Sequence, residues 1–249
     1  SAARVSCRCR INAGVRDAVV RSDAGTGRRA GTHSSIGFFA MTDTANRWYF
    51  DFISPFSYLQ WPKVRTLMAD HAIVPVPILL AAVLDARGQK GPAEIPSKRE
   101  FTYRHVLWQA RQAGVPLTFP PKHPFNPLPA LRLCIAAGAS PASIDALFDW
   151  IWVQGRAADT TQALEPVREA LGLPAGVADS VEVKAMLRNC TEIALSAGVF
   201  GVPTLAIGDS LFWGNDAHAF AVAVLHDPAL LEEPEMRRIA EMPVGVQRG

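Results

Sequence analysis

The chain has 249 residues, 49% of them hydrophobic and 19% charged, with six Trp and twelve Phe, which fits a soluble globular protein with one large domain or two small ones. Its net charge of +2 hides an asymmetry: residues 1–40 carry seven Arg and no Lys against Asp17 and Asp23. The remainder is slightly acidic, so the body has no basic footprint for nucleic acid, and the longest apolar run, near Val74 to Leu84, is broken by Pro75 and Pro77 and too short to span a bilayer.

In chain order, residues 1–40 are rich in Arg, Gly, Ser and Ala and lack apolar periodicity, so a disordered extension is expected; such a composition buries too little to offset chain entropy. Met41 is a candidate initiator, and the Arg-rich, acid-poor leader also has the composition of a mitochondrial transit peptide. A strand is predicted over 47–53, ending at Ser54-Pro55, then a helix over 55–71 carrying Tyr58, Val64, Leu67 and Met68. A second strand follows over 73–80, where β-branched residues and prolines permit a strand and disfavour a helix. A turn-rich passage leads to Ser97, whose spacing to Glu100 is that of a capping box opening a helix that stops near Gly114. Further helices are predicted over 128–137, 143–153 with Ser140 as cap, 160–171, and 179–196 with Gly198 closing it. Two short apolar runs, 204–207 and 210–213, are split by Gly208-Asp209, read as a type I′ hairpin, and helices follow over 216–226 and from Pro228 to Ile239.

The order β-α-β, helices, β-β-α is that of an α/β thioredoxin-like fold with an all-helical insertion. The expected organisation is a thioredoxin-like domain from 41–84 and 198–249, with an inserted helical domain over 85–197.

Ser54 is the residue around which chemistry is expected. It occupies an N-cap position with Pro55 at N1, so the unpaired N–H groups of the first turn and the positive end of the helix dipole favour an anion such as a thiolate beside it. Ser-Pro is also a common way to start a helix and nothing more. Val202-Pro203-Thr204 lies where a thioredoxin fold places a cis-proline loop facing that helix start, with Val202 offering its backbone to a cysteinyl-type ligand; alone it reads as a turn. Asn215 and Asp216 precede a predicted helix, where an acidic side chain can pair with an ammonium group or cap the helix. Ser54 and Ser57 stand at the two ends of an S-x-x-S, so the junction lacks the thiols that disulfide exchange requires. The four cysteines, Cys7, Cys9, Cys134 and Cys190, form neither a C-x-x-C pair nor zinc-like spacing, which fits a reducing cytoplasm and no metal site.

The segments WYFDFISPFSYL, GVPLTFPPKHPFNPLPALRL and GVFGVPTLAIGDSLFWGND, in that order, resemble the 2-hydroxychromene-2-carboxylate isomerase family, a glutathione-dependent branch of the DsbA-like and kappa-class glutathione transferase group. The resemblance extends from Arg47 to about Leu225. It implies that Ser54 is the catalytic serine holding the glutathione sulfur, that the backbone at Val202, before Pro203, binds the cysteinyl part, and that Gly214-Asn215-Asp216 receives the γ-glutamyl end. It also places the loop of Phe125 and Asn126 across the pocket, where Phe125 can stack on an aromatic ring and Asn126 can bond a phenol or carboxylate; Asn126 is equally placed to cap the next helix. Lys90, Lys122, Arg104 and Arg132 are candidates for the substrate carboxylate or ordinary surface charges, and His105 and His123 read as structural histidines. The activity implied is interconversion of 2-hydroxychromene-2-carboxylate and trans-o-hydroxybenzylidenepyruvate, with glutathione as cofactor and a small aromatic pyruvate as substrate, by a cytoplasmic homodimer. A kappa-like glutathione transferase and a non-catalytic thiol- or peptide-binding thioredoxin-fold protein are the alternatives.

Overall fold

The computed structural model describes residues 46–246; the expected extension over 1–40, the Met41 start, Cys7 and Cys9 lie outside the described residues. Strand β1 (Asn46–Phe50) buries Trp48 and Phe50 on one face and Tyr49 on the other, all three fully, as alternation along a strand covered on both sides requires. The chain then turns through 51–54 and enters α1 (Pro55–Leu67), so the strand is shorter than predicted and the turn, not the strand, carries Asp51 and Ser54.

Strand β2 (Ile73–Pro77) runs parallel to β1 at the edge of the sheet, where Pro75 and Pro77 are tolerated because one side needs no donors. It stops three residues earlier than expected, because helix α2 (Leu80–Ala86) begins there. That helix start is supported from outside: the Asp51 carboxylate accepts from Leu80 N at 2.9 Å and Thr191 Oγ1 accepts from Leu79 N at 3.1 Å.

Helices α3 (Pro96–Gln112), α4 (Leu128–Ala136), α5 (Pro141–Phe148), α6 (Glu165–Ala170) and α7 (Val181–Ser196) come next. The Ser97 capping box does not form: α3 starts at Pro96 with Ile95 as N-cap, so Ser97 already lies inside the helix. Ser140 caps α5 as predicted, accepting from Ser143 N at 3.3 Å, and α5 then widens into a π-turn over Asp149–Val153. The helix predicted over 160–171 shrinks to α6, whose start is set by Pro166. Helix α7 is capped by Ser180, which accepts from Val183 N at 3.2 Å, and ends at Gly198 with a positive φ of 84°.

Strands β3 (Thr204–Ile207) and β4 (Ser210–Trp213) form the antiparallel hairpin, and the described strands assemble in the order β2-β1-β3-β4. The turn is not type I′. Only Gly208 takes a positive φ, of 55°, whereas type I′ needs it at Asp209 as well; glycine in the first position suits the type II′ form. Helices α8 (His218–His226) and α9 (Pro234–Ala240) close the described chain, joined by a 3₁₀ turn at Pro228–Glu232.

Both faces of the sheet are covered. On one, Trp48, Phe50, Leu205 and Phe212 pack with Tyr58, Trp61 and Val64 of α1, residues of α4 and α5, and Ala221 and Val224 of α8. On the other, Tyr49, Val76 and Ala206 meet Val83 of α2 and Ala194 of α7, so α7 belongs to the wall of the sheet as well as to the helical region. The result is the expected α/β thioredoxin-like fold with helices inserted between β2 and β3. Among the described residues no helix is long and apolar enough to cross a membrane.

One buried polar side chain ties this core to the loop end of the sheet. Gln60, fully buried on α1, accepts from Trp48 Nε1 at 2.7 Å and donates to the carbonyl of Gly214 at 3.0 Å. Gln60→Leu is therefore expected to cost about 1–3 kcal/mol in a urea melt, since a donor and an acceptor lose their partner together. A variant as stable as the parent would mean that water or a neighbour takes over both bonds.

Candidate active site

Ser54 is the N-cap of α1 in extended geometry, with φ −89° and ψ 112°, and its Oγ accepts from Ser57 N at 3.2 Å. A hydroxyl has one hydrogen and two lone pairs; with a lone pair committed to Ser57, the hydrogen remains for an anion docked at the helix start. Of the first-turn N–H groups, Pro55 has none and Ser57's is bonded to Ser54, which leaves that of Phe56 to the same anion. Ser57 Oγ is buried and makes no hydrogen bond among the described residues, so a second hydroxyl stands close to the cap without a partner.

The turn that carries Ser54 is fixed group by group. Ile78 N donates to Phe50 O at 2.9 Å, and Ser54 N to Asp51 O at 3.1 Å. Two of its carbonyls are held by side chains from the helical region: Trp152 Nε1, in the π-turn, donates to Phe52 O at 2.9 Å, and His123 Nε2 lies 2.8 Å from Ile53 O. The Asp51 carboxylate, with no exposed surface, accepts from Ile53 N at 3.1 Å as well as from Leu80 N. Burial pushes this acid up to about 7, against the pull of the N–H groups of Leu80, Ile53 and Phe52.

Val202-Pro203 is a cis peptide, as expected of that loop. In the β1–β3 register Tyr49 faces Thr204, so the cis-proline loop enters the sheet at the end of β1 from which the Ser54 turn leaves. Pro203 O accepts from Gly214 N at 2.8 Å, which joins the cis-proline loop to the Gly214-Asn215-Asp216 turn. Gly214 has φ 101° and lies against Asp216 Oδ1, so a Cβ there would strike the carboxylate.

Neither Asn215 nor Asp216 caps α8; the N-cap is Ala217, without a side-chain bond. Asn215 instead accepts from Lys63 Nζ at 2.9 Å and donates to Gln109 Oε1 at 3.3 Å, so α1 and α3 hold the turn from both sides. Nor is Asn126 the N-cap of α4, which is Pro127; its Oδ1 accepts from Leu128 N at 3.2 Å from one residue outside the cap. Phe125 is half-buried with its ring 6.1 Å from that of His123, and this contact links the Phe125–Asn126 loop to the Ser54 turn.

Of the candidate cations, Arg104 pairs with Glu100 at 2.6 Å and Arg132 with Asp179 at 3.5 Å, while Lys90 and Lys122 are exposed. Sequence reasoning missed Asp51 and passed over His123. An acid three residues before a Ser-Pro helix start, and a histidine inside an aromatic, proline-rich loop, were the available signals. Burial holds the described cysteines in the thiol form, Cys134 pushed up to about 12 and Cys190 to about 11. Among the described residues no group of three or more His, Cys, Asp or Glu side chains is placed to hold a metal ion.

A family model described as a DSBA-like thioredoxin domain matches residues 47–225. A 2-hydroxychromene-2-carboxylate isomerase of Pseudomonas putida is 32% identical over 177 residues, which are 68% of this chain and 87% of that protein. Another, from Sphingobium xenophagum, is 32% identical over 199 residues, 75% of this chain and 100% of its own length. Among solved structures, a 2-hydroxychromene-2-carboxylate isomerase superposes with a TM-score of 0.64 at 27% identity, covering 77% of this chain and 98% of that one.

Proposed function

The chain belongs to the DSBA-like thioredoxin family and, within it, to the 2-hydroxychromene-2-carboxylate isomerases, and we propose that it interconverts 2-hydroxychromene-2-carboxylate and trans-o-hydroxybenzylidenepyruvate with glutathione as cofactor. The observation that carries this reading is Ser54: a hydroxyl whose acceptor side is occupied by Ser57 N and whose hydrogen is left for an anion at a helix start. Serine at both ends of S-x-x-S removes redox exchange from the reactions open to this junction.

The residues present fit glutathione. Ser54 and the Phe56 N–H would receive the sulfur, the backbone of Val202 the cysteinyl amide, and Asp216 the γ-glutamyl ammonium, with Asn215 kept in place by Lys63 and Gln109. When bound, glutathione supplies a thiolate nucleophile that adds reversibly to the conjugated carbon of the ring-opened enone, so that a double bond becomes a rotatable single bond. What Ser54 contributes is charge stabilisation: holding a thiol one pKa unit lower corresponds to about 1.4 kcal/mol, within reach of one charge-assisted hydrogen bond and the helix dipole. Phe125 offers an aromatic face to the substrate ring, and the uncommitted Phe56 N–H keeps water from being the only donor to the sulfur. The same reading carries a cytoplasmic homodimer, for which Phe101 and Trp108 on α3, 67% and 57% exposed, supply apolar surface.

Turnover with limiting glutathione tests the assignment. Purified protein is expected to isomerise many equivalents of trans-o-hydroxybenzylidenepyruvate per glutathione while the thiol titre stays constant. One-for-one loss of thiol would replace the isomerase by a transferase, and calorimetric binding without turnover would make it a thiol-binding protein.

A further inference from the structure

We propose that His123 is a positioning residue for the isomerisation: from the helical region it holds the carbonyl of Ile53, and through that peptide the Ser54 hydroxyl, with Tyr103 fixing the tautomer that makes the hold possible. This rests on the isomerase reading for its catalytic consequence, though not for its geometry.

The peptide joining Ile53 to Ser54 is a rigid plane, so its C=O and N–H move together. The N–H end donates to Asp51 O at 3.1 Å and the C=O end meets His123 Nε2 at 2.8 Å. With both ends engaged the plane cannot rock, and the Cα that carries Ser54 Oγ, two bonds farther on, is held in place. Losing the His123 bond frees one end of the plane directly beside Ser54.

The ring's protonation follows from its partners. A carbonyl can only accept, so Nε2 must carry hydrogen; in the neutral ring Nδ1 is then a bare acceptor, and the Tyr103 hydroxyl lies 2.6 Å from it. Tyr103 O is also 2.8 Å from the carbonyl of His123 itself, so the single phenol hydrogen is shared between two acceptors of the same residue, the ring nitrogen and the backbone oxygen. Rings enclose the imidazole, with centroids at 5.2 Å for Tyr103, 5.5 Å for Trp152 and 6.0 Å for Phe119. Burial lowers the imidazole's affinity for a second proton, the Ile53 carbonyl opposes this, and the charge of Arg99 adds to the lowering, which keeps the single-proton form. A histidine serving only to fill space would need none of these directional partners.

The test compares His123→Gln, whose amide nitrogen can donate from the place of Nε2, with His123→Leu, which fills the space and donates nothing, and Tyr103→Phe, which leaves the ring but removes the group that selects its tautomer. Three quantities are read: kcat and KM for glutathione, the ultraviolet absorbance of the bound thiolate against pH, and hydrogen exchange of the Ser54 amide in the protein without substrate. His123→Leu is expected to lose about 10–100-fold in kcat with KM changed by less than about 3-fold, to titrate its bound thiol at higher pH, and to exchange the Ser54 amide about 10-fold faster. His123→Gln is expected to recover to within about 5-fold of the parent, and Tyr103→Phe to fall between the two. A folded His123→Leu with parental kcat and Ser54 protection would overturn the proposal, and so would a His123→Gln as impaired as His123→Leu. If His123→Leu does not fold, Tyr103→Phe decides alone: parental kcat and Ser54 exchange would overturn it. If the parent protein fails to turn over, the isomerase reading falls, and the Ser54 exchange comparison still decides whether His123 holds the junction.

Discussion

Replacing Ser54 by alanine is expected to lower kcat/KM for the isomerisation by roughly 100-fold, with most of the loss in kcat. Alanine removes the hydroxyl hydrogen of the cap residue and also the acceptor of Ser57 N, so the anion site loses its charge-assisting hydroxyl and the first turn is left with an unsatisfied N–H. The fold should survive, because an N-cap deletion costs about 1 kcal/mol. Two measurements separate the effects: steady-state rates at saturating glutathione, and the pH at which bound glutathione ionises, which should rise in the variant. A Ser54→Ala protein with parental turnover, or a parent equally active without glutathione, would remove Ser54 from the role given it here.

Asp51 should produce the larger effect on stability, and one with a definite sign. Its pKa is about 7 in the folded protein and about 4 in an unfolded chain, so between these values the folded state binds the extra proton. Stability contributed by this group therefore falls as pH rises from about 4 to about 7, and the cost of keeping the buried charge, up to about 4 kcal/mol, is fully present above that window. Asp51→Asn cannot carry that charge and should lose this pH dependence. It carries a constant penalty instead, about 1–3 kcal/mol, since an amide nitrogen cannot accept from both Ile53 N and Leu80 N. In urea melts the parent's stability relative to the variant is accordingly expected to fall between pH 5 and pH 8, and at pH 8 the variant becomes the more stable of the two if the buried charge costs its full amount. Parallel pH profiles for the two proteins would show that the carboxyl is not titrating where its burial places it.

The parts of the molecule legible in the sequence are those with local causes. Ser54-Pro55, Ser140-Pro141 and Gly198 announce helix ends through capping chemistry that needs only neighbouring residues, and the two apolar runs around Gly208 announce a hairpin in the same way. Where two local signals compete, the reading slipped: Ser97 offered a capping box, but Pro96 set the start of α3, and the apolar stretch after Pro77 hid α2 because its first N–H groups are satisfied by Asp51 and Thr191, from elsewhere in the chain. Within the site the same division holds. Ser54 and Val202-Pro203 could be picked out by their junction and turn chemistry, whereas His123 bonds a carbonyl 70 residues away and leaves no periodic trace. Asn126 carried two readings, and in the structure its Oδ1 accepts from Leu128 N at the start of α4, whose N-cap is Pro127.

The Ser54 turn has its carbonyls held by Trp152 and His123, at sequence separations of 100 and 70 residues, and its companion loop at Gly214 is held by Gln60 at a separation of 154. Contacts between such distant parts of a chain close large loops and are expected to form late in folding. A ribosome-bound chain that has emerged only as far as α3 would already contain Ser54, its helix and Gln60, yet would lack His123, Trp152 and the Gly214 loop. If the proposed glutathione site is correct, thiol binding is expected to be acquired abruptly, when the C-terminal strands dock and the Gly214 loop meets Gln60.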